Sequence, residues 1–249
     1  MIQAVLLSGI VGIVGGFGSG LFGIGGGSIR IPLLNLAGFS LISAYGMNLL
    51  ALPLTCLAGA ASQRENIDYR IGSYMILGGS IGTVLGTLFA FHMASSALLL
   101  ATIFLLASLV AVVLLNINNF THQPSTTGNP SPLKLVSGTL TFNTITGMRG
   151  GSEGSLFVPL LRALNVEMHK AIATALFSAV FTSIVGVALY WNQGHIPLLE
   201  GLALLIGSVI GARIGSMLSV KSKSRSLRLG LTTVIIVLAV LTLLKAACF

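Results

Sequence analysis

Two short stretches hold the residues in this chain that can do chemistry. The first is Gly25-Gly26-Gly27-Ser28-Ile29-Arg30-Ile31-Pro32. The second is Arg149-Gly150-Gly151-Ser152-Glu153-Gly154-Ser155, closed by Pro159. Each interrupts an apolar run. Where a helix resumes after such a break, its first backbone N–H groups have no intrahelical partner, and the helix dipole adds roughly half a positive charge there. Such a start binds anions. Gly25, Gly26, Gly27 and Gly154 let an oxyanion approach the amides, and the hydroxyls of Ser28, Ser152 and Ser155 add donors. Arg30 and Arg149 supply guanidinium forks that fit oxyanions bidentately. The alternative for either arginine is a structural contact with helix-end carbonyls, or snorkelling to the surface. Asn48 and Thr174 lie near matching positions of the runs after the two breaks and are candidates to line the same cavity. Glu153 is the one acid in either break. It is a candidate for proton coupling, or it neutralises Arg149.

Other chemistries find little support. His92, His122, His169 and His195 fall in or near loops without metal-ligand spacing, so no metal site is expected. Cys56 and Cys248 make no disulfide framework and read as packing residues. The apolar runs carry no paired carboxylates and no nucleophile with a base, so an enzyme is not expected, and neither is a cofactor. No nucleic-acid motif accompanies the formal charge of +8.

The elements that position these residues are membrane helices. Of the 249 residues, 54% are hydrophobic and 7% charged, against about a quarter charged in soluble domains. The runs are continuous, which excludes alternating strands. The expectation is an all-α polytopic membrane protein. Ile2 to about Phe17 and Ile29–Ala37 are each short for a crossing, which takes roughly 20 residues, and form a broken or re-entrant helical hairpin. Three full transmembrane helices follow it: Leu41–Ala61, Ile71–Phe91 and Ala94–Leu115. Residues 117–132 are polar, Pro-containing and uncharged, and read as a linker between a first repeat (1–116) and a second (133–249). The second half repeats the pattern: a run to the second break, a short return over 156–164, then spans over 168–191, 198–218 and 229–246.

Gly20, Gly23, Gly27, Pro32, Thr55 and Gly59 align with Gly147, Gly150, Gly154, Pro159, Thr182 and Gly186 at one constant shift. Gly78, Gly82 and Gly86 match Gly207, Gly211 and Gly215 after a small insertion. Such rows let helices approach closely in lipid. In this alignment Phe157 stands opposite Arg30, and Phe22 opposite Arg149. Loop 62–70 is basic and its counterpart 192–197 is not; loop 219–228 is basic and its counterpart near His92 is not. Basic loops are cytoplasmic, so the repeats are expected to be inverted, with both termini outside. Lys245, at the outer end, runs against that assignment. Arg64 and Asp68, four apart, are expected to be able to pair across a helix end. Paired broken segments point to an anion site near the midplane, between the halves.

Gly23–Leu34, the second copy through Pro159, and Ile67-Asp68-Tyr69-Arg70 followed by Gly78 and Gly82 resemble the TauE/SafE sulfite exporter family, also called toluene-sulfonate uptake permeases. The likeness covers nearly the whole chain, and the second copy departs from it at Ser152-Glu153. The resemblance implies a secondary transporter in the inner (plasma) membrane that moves sulfite or organosulfonates in exchange with the proton gradient. The residues alone reach an oxyanion carrier, with an anion channel and a carrier of small carboxylates such as lactate as alternatives. The expected partners are a small anion and the bilayer; the sequence leaves a homo-oligomer open.

Overall fold

The computed structural model describes residues 2–22, 26–117, 130–151, 154–219 and 224–248. Their regular elements are all helical, apart from a single 3-10 turn at Arg64–Asn66. The helices are α1 (Ile2–Phe22), α2 (Gly27–Leu36), α3 (Leu41–Ser62), α4 (Tyr69–His92) and α5 (Ala97–Ile117) in the first half. In the second half they are α6 (Pro132–Met148), α7 (Gly154–Ala163), α8 (Met168–Asn192), α9 (Leu198–Ser219) and α10 (Ser224–Cys248). Five of them, α1, α3, α4, α8 and α9, contain a stretch long and apolar enough to cross a membrane. The linker expected over 117–132 lies mostly outside the described residues, and α6 already starts at its last position.

The short returns form where the sequence places them. Both α2 and α7 have 10 residues, and they begin and end at the same shift that aligns the glycines. The arm before the first break differs from expectation. α1 runs through Gly15, Gly16, Gly18 and Gly20 to Phe22, and its 21 residues span about 30 Å. It is a full-length helix rather than a short arm. α10 likewise starts at Ser224, so part of the expected basic loop 219–228 is helical.

Backbone-to-backbone packing explains why α1 tolerates its glycines. A methyl group at Gly12 or Gly16 would overlap the carbonyl oxygen of Leu204 or Ser208 on α9, and one at Gly207 or Gly211 would overlap that of Gly9 or Ile13 on α1. Gly78, Gly82 and Gly86 of α4 make the same approach to the carbonyls of Val136, Leu140 and Thr144 on α6. The glycine rows therefore join one half to the other. Both pairs run parallel, since contacts advance along both helices together.

α3 and α8 run antiparallel through the centre. At one end the backbone N–H of Asp68 donates to Thr174 Oγ1 over 3.0 Å, and Lys170 Nζ lies 3.5 Å from an Asp68 carboxylate oxygen. At the other end Gly46 abuts His195 and Tyr190. Asp68 also caps α4 by accepting from the Ile71 N–H over 3.0 Å. The Arg64–Asp68 pair allowed by the sequence gives way to these contacts, because the carboxylate faces α8. A cleft of about 150 Å³ lined by Asp68, Arg70 and 130–132 puts the start of α6 on this face too. Lys245, in the last turn of α10, donates to the Asn35 carbonyl at the end of α2. This cation is spent on the negative end of a helix dipole, so its place opposite the basic face has a local cause. The first turn of α1 and the last turn of α10 lie on that opposite face.

Candidate functional site

The first break is built around Arg30. α2 starts at Gly27 with Gly26 as its N-cap and no side-chain cap. The Gly26 carbonyl accepts from Ile29 N–H over 3.1 Å and Arg30 N–H over 2.8 Å. The Arg30 side chain turns back toward the helix start: a Cβ on Gly26 would come within 2.5 Å of Nε and Nη2, and within 2.8 Å of the Gly15 carbonyl oxygen. Gly15 also faces the stem, and a methyl group there would overlap Arg30 Cγ. Gly15 lies seven residues before the end of α1, about 10 Å along the axis. α2 therefore begins inside the bundle and not at its surface.

Arg30 is fully buried, at 0% exposure. Its Nε, Nη1 and Nη2 have no hydrogen-bond partner among the described residues, and neither does the buried Ser28 hydroxyl. A buried cation without a counter-charge costs several kcal/mol. Here the cost is concentrated where a helix start adds further positive potential. The side-chain groups without a partner at this point, the Arg30 guanidinium and the Ser28 hydroxyl, can all donate, so the arrangement suits a ligand with several acceptor oxygens and negative charge.

The second break is organised differently. Arg149 is the C-cap of α6 and is also 0% exposed. Its Nη1 donates to Ser108 Oγ on α5 over 3.3 Å. Gly150 and Gly151 have φ of 77° and 83°, where a side chain would be strained. Both pack onto the middle of α3, against Tyr45, Leu49 and Leu52. Asn48 Nδ2 donates to the Gly150 carbonyl over 2.7 Å and fixes the break to α3. The contacts thus divide the expected residues into two groups. Gly26 and Arg30 meet at Gly15 of α1, whereas Asn48 of α3 holds the Gly150 carbonyl and Arg149 reaches Ser108 of α5. Thr174 belongs with Asp68 on the basic face. Gly25, Ser152 and Glu153 lie outside the described residues, as do the side chain of Ser155 and the surroundings of Gly154.

The sequence profile of the sulfite exporter TauE/SafE family matches residues 8–242. The chain belongs to that family. It is 26% identical over 245 residues to the probable membrane transporter protein YjnA of Bacillus subtilis, covering 92% of this chain and 95% of that one. A probable membrane transporter protein of Haemophilus influenzae is 24% identical over 276 residues, with 98% and 100% covered. YunE of Bacillus subtilis, also a probable membrane transporter protein, is 23% identical over 255 residues, with 92% and 93% covered. No solved structure matches the chain. It is a membrane transporter of the TauE/SafE family, consistent with the expectation that it is not an enzyme, and its apolar helices make it multi-pass.

Several residues that shape this TauE/SafE protein were not singled out by sequence. Asn143 Nδ2 donates to the Gly79 carbonyl and to Thr83 Oγ1, both over 2.9 Å, and its Oδ1 accepts from Thr146 over 2.8 Å. This network pins α6 to α4 one turn before the second break. An amide within an apolar run was its available signal. Gly15, the seat of the Arg30 stem, was legible only as one more glycine, and Ser108 gave no signal at all.

Proposed function

We propose that this chain is a secondary transporter of sulfite or organosulfonate anions in the cytoplasmic (inner) membrane, driven by exchange with the proton gradient. The anion sits at the start of α2, on the Arg30 guanidinium and the Ser28 hydroxyl. One observation carries this reading: a fully buried arginine at a helix start with three nitrogens unpaired among the described residues. The description of the family as sulfite exporters supports a sulfur oxyanion. A sulfonate or sulfite offers three oxygens to a cluster of donors.

The two halves, 1–116 and 133–249, act as inverted repeats that rock about α3 and α8 to expose the site to each side in turn. The antiparallel course of α3 and α8, the matching lengths of α2 and α7, and the paired glycine contacts of α1 with α9 and α4 with α6 support this motion. Glu153, the one acid in either break, carries the coupling proton. The test is flux into proteoliposomes of sulfite, taurine, sulfoacetate, sulfate and lactate at several pH values. The reading expects sulfite or a sulfonate to move, faster with a proton gradient, and expects Glu153→Gln to remove the effect of the gradient. Exclusive transport of lactate, or channel-like conductance, would replace it.

A further inference from the structure

Resting on the anion reading above, we infer that the oxyanion site is built once, in the first half, and that its counterpart in the second half is closed by an aromatic plug. α2 and α7 are the same helix twice: same length, same start and end in register, with Ser and Pro at matching positions. Two binding sites would be the default consequence. The residues around Arg30 break the symmetry in a coordinated way. Gly15 and Gly26, the two positions where a side chain would collide with the arginine, correspond to Phe142 and Glu153. Arg30 itself corresponds to Phe157.

The cation and both openings that admit it are therefore replaced together. Phe157 is fully buried in an apolar cluster with Ile71, Met75 and Leu135. Its ring lies 3.5 Å from where a Cβ on Gly79 would stand. With an aromatic ring in place of the guanidinium, the second half lacks the side-chain cation that the first half offers at this position. The chain consequently takes one oxyanion group (sulfite, sulfonate or carboxylate) per molecule, held by the first half. The second half serves as the wall that closes over it.

The test is equilibrium binding of sulfite, methanesulfonate and acetate to the purified full chain in detergent, with stoichiometry determined. One anion per chain is expected. Arg30→Phe, which makes the first half resemble the second, should weaken binding by about a hundredfold, the loss of two charge-assisted hydrogen bonds. Arg30→Lys keeps the charge but not the fork and should lose about tenfold. Gly15→Ala displaces the stem and should weaken binding as well. These two variants keep the question answerable if Arg30→Phe does not fold. Two anions per chain in the wild type, or wild-type affinity in Arg30→Phe or in both Arg30→Lys and Gly15→Ala, would overturn the inference while leaving an anion carrier standing. A wild type that binds none of the three probes would instead remove the anion reading, and this inference with it.

Discussion

Replacing Arg30 with methionine should stabilise the protein and weaken its ligand binding at the same time. The side chain is fully buried, and none of its three nitrogens has a protein partner among the described residues. Exchanging even a paired buried ion for an apolar side chain of similar volume is neutral or stabilising by about 1–4 kcal/mol, and an unpaired one is the less favourable starting point. Arg30→Met should therefore raise the unfolding temperature in detergent by several degrees. The anion loses a bidentate contact. Two hydrogen bonds to a charged group, each contributing about 1.5 kcal/mol at the low end, amount to roughly a hundredfold in Kd. Trp191, the single tryptophan, lies exposed at the end of α8 and reports unfolding by its fluorescence. Melting curves with and without sulfite then separate the two effects. The wild type should melt higher with sulfite, whereas Arg30→Met should melt higher than the wild type without it and show no response. A variant that melts well below the wild type without ligand would mean that Arg30 serves the fold, and the account of the first break would fail.

Three further substitutions probe the scaffold. Gly207→Leu puts a side chain into the Gly9 carbonyl and should separate α1 from α9 at a cost of about 1–3 kcal/mol or more, read as loss of monodisperse protein in size-exclusion chromatography; unchanged yield and melting would refute the close approach. Asn48→Ala leaves the Gly150 carbonyl without its donor and should cost about 1–3 kcal/mol in thermal unfolding, with slower flux because the second break loosens. Asp68→Ala removes the cap of α4 and the Lys170 pair, an expected loss of about 1 kcal/mol for the cap and less for the half-exposed pair, measured by the same melting assay. Reversing the pair to Asp68→Lys with Lys170→Asp should recover the second loss but not the first.

How far the sequence could be read follows from which forces are local. The short returns were legible because a glycine run followed by a helix of fixed length is a local pattern, and α8 and α9 began where the apolar runs did. The length of α1 was not legible. The glycines after Phe17, Gly18 and Gly20, read as a stop, since each disfavours helix by about 1 kcal/mol. The structure offsets that penalty with tertiary contacts: Gly12 and Gly16 meet the α9 backbone, nearly two hundred residues away in sequence, and Gly15 and Gly18 admit Arg30 and Ile29 of α2. The same limit applied to the site. Arg30 stood out as a charge in an apolar run, but its seat on Gly15 depends on how α1 and α2 fold back on one another.

Arg149 shows the converse. By type and by its place beside a glycine break it matched Arg30, and the two were paired on that ground. Their surroundings separate them. Arg149 reaches across to Ser108 and closes the end of α6, where a cation meets the negative pole of the helix. Arg30 lies at the positive pole of α2, where its own charge is unfavourable unless something negative joins it. The same residue type at opposite helix ends thus has opposite electrostatic consequences: Arg149 is met by the negative end of α6, whereas Arg30 gains nothing from the start of α2 and, on the proposed reading, is balanced by a bound anion. That difference in pole is the ground on which the proposal places the oxyanion in the first half.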